Sequence, residues 1–238
     1  MSNGIILNAE GIRAGYGANE ILFGINMKAE TGKIVTIIGP NGCGKSTFLK
    51  TLIGLVPWAK GKLEFDGKDI LGLSPEKRSA AGISYVPQLS GVFASLTVLE
   101  NLQLGAWSLS KAQAKTKIDE LIQTFPVLKR FLNRHAGVLS GGERQIVALS
   151  AALMTDPRLL LIDEPSAGLS PVAAAGIFDH IESLRSSERA IMIVEQNAQI
   201  SLSISDWGYV LAGGLNEFDG TPEDILGNEK VRKAYLGG

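Results

Sequence analysis

Short apolar runs alternate with longer helix-like stretches along most of this chain, a pattern that predicts an α/β fold. The apolar runs predict buried parallel strands at residues 34–38, 83–86, 159–162, 190–194 and 207–212. We expect these strands to form one core sheet.

Near the N-terminus the pattern changes, because polar and apolar residues alternate over residues 5–12 and 19–28, with glycines at the turns. This period of two predicts antiparallel strands. Residues 62–65, followed by Asp66 and Gly67, predict a further short hairpin element. Together these segments predict an antiparallel β lobe beside the parallel core.

A helical insertion is predicted in the middle of the chain. The interval between the apolar runs at 34–38 and 159–162 is too long for a minimal βαβ unit. Residues 97–106 and 111–124 within it have helical patterns, and a short basic helix is predicted after them. We therefore expect a helical subdomain over about residues 89–155, within one domain that spans residues 1–238.

Composition and charge restrict the possible partners. The formal net charge of −1 gives no reason to expect a nucleic-acid partner. The single cysteine, Cys43, excludes an internal disulfide and is typical of a reducing cytoplasm. We expect no signal peptide, and no apolar run approaches the roughly 20 residues that cross a bilayer. Any path through a membrane would therefore be formed by other chains.

A glycine-rich loop directly after the first apolar run is the strongest chemical signal. Residues 39–47 read GPNGCGKST and fit G-x-x-x-x-G-K-[ST] between a strand and a helix, as a phosphate-binding loop (P-loop) requires. Lys45 is predicted to reach the β- and γ-phosphates, and the Ser46 hydroxyl to bind Mg²⁺. The other residues predicted to contact the nucleotide here are Gly39, Asn41, Gly42, Cys43, Gly44 and Thr47.

Two acidic residues follow the apolar run at 159–162. Asp163 comes at the tip of the predicted strand, where side chains of open α/β sheets face the ligand crevice. It is therefore a candidate Mg²⁺ ligand, directly or through water. Glu164 is the candidate general base that positions and deprotonates an attacking water.

A second candidate anion site lies at residues 139–145, which read LSGGERQ. Ser140 is a favourable N-cap for the helical pattern over 144–154, and Gly141 and Gly142 leave the backbone amides accessible. Alone, this segment also fits a simple capped helix. Because the chain has a single P-loop, a second anion site is explained if it contacts the nucleotide of another subunit.

The three motifs, in this order, resemble those of the ATP-binding cassette family over nearly the whole chain. The resemblance implies an α/β fold: a P-loop NTPase core with a parallel sheet, an antiparallel β subdomain, and an inserted helical subdomain carrying the 139–145 signature motif. It also implies that Tyr16 stacks on adenine and that residues 166–171 form the loop called the D-loop. Gln88 matches the glutamine that senses Mg²⁺ and the membrane partner, so the implied metal-site residues are Ser46, Gln88 and Asp163.

One position departs from the family pattern. The switch residue after the last core strand is normally histidine, but Gln196 occupies this position after residues 190–194. The implied catalytic residues are therefore Glu164, Gln196 and Lys45. Three segments resemble the ATP-binding subunits of branched-chain amino acid importers, namely residues 194–197, 206–211 and 231–238.

The resemblance implies a peripheral ATPase subunit at the cytoplasmic face of the inner (plasma) membrane. It would use ATP and Mg²⁺ to energise import of branched-chain or hydrophobic amino acids or related amides. Implied partners are integral membrane permease subunits, a solute-binding protein and a second ATPase chain, either identical or a paralogue. Each ATP would lie between one chain's P-loop and the other's Ser140, Gly141 and Gly142. The permeases would contact residues 88–102, with Phe93 and Leu96 as apolar contacts.

Two other functions fit the same motifs. A soluble cassette ATPase without a transport role, such as an iron–sulfur assembly factor, would not co-purify with an integral membrane protein. A nucleotide-dependent switch that hardly hydrolyses ATP would be consistent with Gln196 and would show little steady-state phosphate release.

Overall fold

Two β-sheets with helices packed around them make up the computed structural model, which describes residues 4–88 and 91–235. The strands in these ranges are β1 (Ile5–Tyr16), β2 (Asn19–Glu30), β3 (Ile34–Ile38), β4 (Trp58–Phe65), β5 (Lys68–Asp69), β6 (Ile83–Val86), β7 (Leu159–Asp163), β8 (Ala190–Val194), β9 (Trp207–Ala212) and β10 (Leu215–Gly220). The helices are α1 (Lys45–Ile53), α2 (Pro75–Ala80), α3 (Val98–Gly105), α4 (Lys111–Thr124), α5 (Gly141–Leu153), α6 (Pro171–Ser183), α7 (Ala198–Leu202), α8 (Pro222–Gly227) and α9 (Glu229–Tyr235), with 3₁₀ turns at Pro126–Arg130 and Ala136–Val138.

The core sheet has the strand order β10-β9-β3-β8-β7-β6. Every pair from β9 to β6 is parallel, and β10 is an antiparallel edge strand paired with β9. All residues of β3, β7 and β8 are buried, as continuous apolar runs predict. Because β8 lies between β3 and β7, the segments that follow these three strands meet at one edge of the sheet.

The antiparallel sheet has the order β2-β1-β4-β5 and confirms the predicted β lobe. Its first two strands continue beyond the predicted ends at residues 12 and 28, to Tyr16 and Glu30. Leu22 and Ile25 of β2 form one buried cluster with Phe48 and Leu49 of α1. This packing fixes the helix that follows the P-loop against the antiparallel sheet.

The inserted helices pack on a second buried cluster, separate from the one that α1 forms with the antiparallel sheet. Val98 and Leu102 of α3 join Val147 and Leu149 of α5 in a cluster that includes Ile162 of β7. Helix α4 has the predicted bounds, whereas α5 begins at Gly141, three residues before the predicted helical stretch, because Ser140 caps it. The fold class is confirmed, while the bounds of the helical subdomain and of the single domain stay predictions.

Within the described ranges, no helix has both the length and the apolar character that a membrane span needs. Residues 236–238, part of the C-terminal segment singled out in the sequence, lie outside the described residues.

Candidate functional site

The P-loop joins β3 to α1 and requires glycine at several positions. Gly39 has φ 149°, and a Cβ there would overlap the carbonyl oxygen of Leu211. Gly44, the N-cap of α1, has φ 107°, and among the described residues no side chain caps this helix. The first amides of α1 therefore stay accessible to a phosphate group.

Lys45 lies across this loop rather than in solvent. Its side chain is only 4 % exposed, and its Nζ donates to the carbonyl oxygens of Gly39 at 2.8 Å and Pro40 at 3.1 Å. Within residues 4–88 and 91–235, no carboxylate forms a hydrogen bond or an ion pair with this ammonium, which is therefore available to phosphate oxygens. The P-loop geometry therefore fits the phosphates of a nucleoside triphosphate.

Asp163 is a buried acid that accepts hydrogen bonds from two side-chain hydroxyl groups. Its carboxylate is 2 % exposed; Oδ1 accepts from Ser46 Oγ at 2.8 Å and Oδ2 from Tyr85 Oη at 2.9 Å. Burial, followed by the negative charge of Asp163, raises the pKa of Tyr85, so its hydroxyl stays protonated and donates. The structure thus brings together the predicted ligands Ser46 and Asp163, whose oxygens suit Mg²⁺.

The residues present fit a Mg²⁺ ion that completes its coordination with phosphate oxygens and water. Within the described part of the chain, no group of three or more His, Cys, Asp or Glu side chains could hold a metal by itself. Mg²⁺ at nucleotide sites is typically bound through one or two carboxylates plus substrate phosphates, so a lone Asp163 with Ser46 is sufficient.

Glu164 is held in an unusual conformation beside Asp163. Its φ is 45°, and its Oε2 accepts a 2.6 Å hydrogen bond from Gln88 Nε2. Burial raises the pKa of the Glu164 carboxyl, the charges of Asp163 and Glu195 raise it further, and Lys45 opposes them. A raised pKa strengthens a carboxylate as a proton acceptor near neutral pH, as a general base requires.

The predicted switch residue lies in the same cavity as the predicted base. A cavity of about 300 Å³ is lined by Glu164, Ser166, Ala167, Gly168, Glu195, Gln196 and Asn197. It therefore brings together the segments that follow β7 and β8. A water molecule in this cavity would be surrounded by residues that include the Glu164 carboxylate and the Gln196 amide.

The signature segment is built as a helix cap. Ser140 Oγ accepts from the Glu143 amide at 3.3 Å, and Glu143 Oε2 accepts from the Ser140 amide at 2.8 Å. A Cβ on Gly141 would come within 2.8 Å of Leu169 in the D-loop. The described side-chain hydrogen bonds of this segment stay within residues 139–144. Its contact with another chain's nucleotide stays a prediction.

Tyr16 ends β1 and is 40 % exposed, so its ring is accessible to a base. The loop behind it is anchored by Trp58, whose Nε1 donates to the Gly17 carbonyl at 3.0 Å. Across this hairpin Arg13 pairs with Glu20. The adenine contact of Tyr16 stays a prediction.

Sequence reasoning missed two residues of this site. Tyr85 lies on β6, whose residues pair in parallel register with β7, so its neighbour Asp163 is distant in sequence. Glu195 follows the buried strand β8 and is itself buried. An acidic residue directly after a fully apolar strand is the signal that identified Asp163, and it applies equally to Glu195.

Family comparisons agree with the motifs. The model for the ABC transporter family matches residues 22–167. A model for branched-chain amino acid ATP-binding cassette transporters matches residues 218–238.

Named relatives cover nearly the whole chain. The probable branched-chain amino acid transport ATP-binding protein LivF of Archaeoglobus fulgidus is 43 % identical, over 95 % of this chain and 96 % of its own. The high-affinity branched-chain amino acid transport ATP-binding protein BraG of Pseudomonas aeruginosa is 40 % identical, over 98 % of this chain and 100 % of its own. The lipopolysaccharide export system ATP-binding protein LptB of Haemophilus influenzae is 34 % identical, over 98 % of this chain and 97 % of its own.

Solved structures show the same fold. A nucleotide-free ATP-binding cassette from an ABC transporter superimposes with a TM-score of 0.86 at 29 % identity, covering 98 % of this chain and 100 % of that one. A cassette in its ADP conformation gives a TM-score of 0.84 at 30 % identity, covering 98 % and 99 %. The P-loop, the acidic pair after β7 and the capped signature helix thus occur in a chain that belongs to the ATP-binding cassette transporter family, as one of its nucleotide-binding ATPases.

Proposed function

We propose that this chain is the ATPase subunit of an importer for branched-chain or hydrophobic amino acids or related amides, bound peripherally at the cytoplasmic face of the plasma membrane. The observation that carries the proposal is the match of residues 218–238 to the branched-chain transporter model. Similarity over the whole chain does not by itself distinguish an importer subunit from an exporter subunit, because LptB, named for an export system, is also 34 % identical.

In the proposed reaction, ATP binds with its phosphates on the P-loop and its adenine on Tyr16. The other P-loop contacts come from Gly39, Asn41, Gly42, Cys43, Gly44, Lys45, Ser46 and Thr47. Ser46 and Asp163, with Gln88 as the third predicted metal-site residue, would hold a Mg²⁺ ion, which would supply neutralising charge on the phosphates. Lys45 adds a second positive charge that stabilises the transferred phosphoryl group.

Glu164 removes a proton from the attacking water, and its raised pKa suits this role. Gln196, in the same cavity, offers an amide donor to a phosphate oxygen and an acceptor to the water. The hydrogen bond from Gln88 holds the Glu164 carboxylate beside this cavity.

Two ATPase chains, identical or paralogous, would enclose two ATP molecules, each between one P-loop and the partner's signature segment. ATP then favours the closed pair because it contacts both chains only in that state. Hydrolysis removes this bridge. Gly141 and Gly142 begin helix α5, where the first backbone amides have no partner within the helix, and this position supports the arrangement.

A groove of about 480 Å³ is the proposed contact for the permease subunits. Phe93, Leu104 and Trp107 line it and are all largely exposed, with Phe93 at 63 %. Exposed apolar clusters of this kind mark protein interfaces. Leu96, the other predicted contact, is half-buried, so Phe93 is the better candidate of the two. A solute-binding protein would complete the assembly.

The LptB relatives favour a second candidate, the ATPase of an export system. A non-transport ATPase, which the sequence motifs alone also allow, receives no support from the named relatives, since LivF, BraG and LptB all carry transport or export names.

Reconstitution tests the proposal. The chain is purified with the permeases encoded beside it, placed in proteoliposomes, and supplied with the solute-binding protein and radiolabelled leucine. We expect uptake that requires ATP and is lost in a matched Glu164→Gln complex. ATP-dependent release of solute or lipid from the vesicles, without uptake, would contradict import.

A further inference from the structure

Glu195 is a buried carboxylate that binds backbone amides from two different loops. It is 1 % exposed. Its Oε1 accepts from the Ser166 amide at 2.9 Å, and its Oε2 accepts from the amides of Gln196 at 2.9 Å and Asn197 at 3.2 Å. One side chain therefore connects the loop after β7 with the loop after β8.

These two loops carry the residues placed around the reaction. The D-loop begins at Ser166, and Gln196 is the switch residue. Both line the cavity that also contains Glu164. The strands beneath them are fixed to each other, because Asp163 pairs with Val194 and the Glu164 amide donates to the Val194 carbonyl at 2.8 Å. Beyond the ends of these strands, the Glu195 carboxylate joins the two loops through its hydrogen bonds to their backbone amides.

The chemistry of this contact requires a carboxylate. Among the described residues, no lysine or arginine forms an ion pair with Glu195, so backbone amides supply its partners. A carboxylate has only acceptors and can face N–H donors with both oxygens. A glutamine has one acceptor oxygen, and its NH₂ group would oppose at least one of the three amides.

We propose that Glu195 is a positioning residue for ATP hydrolysis, which holds the D-loop and Gln196 in one arrangement around the attacking water. The proposal rests on the roles proposed for Glu164 and Gln196. The P-loop does not contact this carboxylate in the described hydrogen bonds, so ATP affinity and turnover are expected to separate. Glu195 thus acts through the loops and not on the phosphates.

The test compares Glu195→Gln with Glu188→Gln, an exposed carboxylate shortly before β8 that serves as a matched control. We expect Glu195→Gln to lower kcat by about 10²-fold, the cost of a misplacement near 1 Å, and to change ATP affinity less than about twofold. Hydrogen exchange measured by mass spectrometry should accelerate in both segments, 164–170 and 195–199. The control should match wild type in every measurement.

A double-mutant comparison separates this inference from the assignment of Gln196. If both residues act on one water, adding Gln196→Ala to Glu195→Gln should lower kcat much less than the product of the single effects. If Gln196→Ala alone leaves kcat unchanged, the role of Gln196 fails, while the exchange of the two segments and the kcat of Glu195→Gln still test Glu195.

Unchanged kcat in Glu195→Gln overturns the proposal, as does faster exchange confined to one of the two segments. Parallel loss of ATP affinity and kcat also overturns it, because that result means a role in folding. Should the glutamine variant fail to fold, Glu195→Asp keeps the charge but shortens the side chain by one carbon, and the same outcomes apply to it.

Discussion

Glu164 has a carboxylate next to the proposed water cavity and a hydrogen bond from Gln88. Removing its charge while keeping its shape should affect chemistry and leave nucleotide binding intact. We expect Glu164→Gln to lower turnover by about 10²–10⁴-fold, the usual range for a general base, and to accumulate an ATP-bound dimer. Phosphate release and size-exclusion chromatography with ATP measure the two effects. Near wild-type hydrolysis would show that another group is the base.

We expect the same carboxyl group to lower the stability of the nucleotide-free chain at neutral pH. Its pKa is raised in the folded state, chiefly by burial, so the folded chain binds this proton more tightly than the unfolded chain. The resulting stabilisation is present below the unfolded pKa of about 4.3 and is lost as pH rises through the folded pKa.

Glu164→Gln should therefore raise the Tm at pH 7.5, measured in EDTA without nucleotide. The expected rise is roughly 2–4 °C for each 1 kcal/mol that the substitution adds to the free energy of unfolding. The gain over wild type should shrink as the pH is lowered toward 4.5. The exposed Glu188→Gln variant should show no such trend. A Tm difference that grows on acidification would mean that folding lowers the pKa of the Glu164 carboxyl instead of raising it.

Gln196 offers hydrogen bonds but no charge. Its contact with a phosphate oxygen should therefore be weaker than the charge-assisted bond of a protonated histidine. Gln196→Ala should lower turnover by up to about 10²–10³-fold if the amide stabilises the transition state. Gln196→His should retain activity and add a pH dependence near about 6.5. Unchanged turnover of the alanine variant at saturating ATP would remove Gln196 from the site.

How far the site could be predicted from sequence depends on how local each contact is. The P-loop, Asp163 and Glu164 were identifiable because each motif lies within one strand–loop segment. Tyr85 was not identified, because its partner Asp163 lies on the neighbouring strand and only the sheet order brings the two together. Glu195 was missed although it directly follows an apolar strand, as Asp163 does; only its contact with the Ser166 amide depends on the sheet order. The hydrogen bond from Gln88 to Glu164 joins distant segments in the same way.

At the scale of elements, α4 and α5 provide a matched pair. Ser140 and Ser110 are both exposed N-caps in complete capping boxes, so replacing either should cost a similar amount of stability, about 1 kcal/mol. Only Ser140 is proposed to face the partner's ATP. Ser140→Arg should abolish hydrolysis and leave ATP binding by the isolated chain intact, whereas Ser110→Arg should keep hydrolysis. Equal loss of activity in both variants would mean that the cap acts only on the fold.

The elements themselves were largely predictable. The core strands match the apolar runs, because a strand buried on both faces leaves little choice of residue. Strand β10 was missed because its exposed and half-buried pattern is that of an edge strand. The early start of α5 depends on its cap and two glycines, which have low helix propensity.

At the scale of the whole molecule, the proposal places the membrane attachment of this chain on a partner surface, the groove that includes Phe93. The chain expressed alone should remain in the supernatant after high-speed centrifugation, and sediment with membranes only when its permeases are co-expressed. Phe93→Glu should abolish this co-sedimentation, since it places a charge in the apolar groove. Phe23→Glu, at an exposed phenylalanine on β2, is the control and should still sediment. Sedimentation of the lone chain after a high-salt wash, without aggregation, would contradict the proposal.

The position of β8 between β3 and β7 also determines when the site can form during synthesis. The P-loop leaves the ribosome early, but its neighbour strand β8 and the residues that follow it are made much later. A nascent chain that ends before β8 has neither Glu195 nor Gln196, and β3 and β7 lack the strand that joins them. Domains generally fold as units during synthesis. The growing chain is thus expected to gain the ability to hydrolyse ATP only after most of it has been translated.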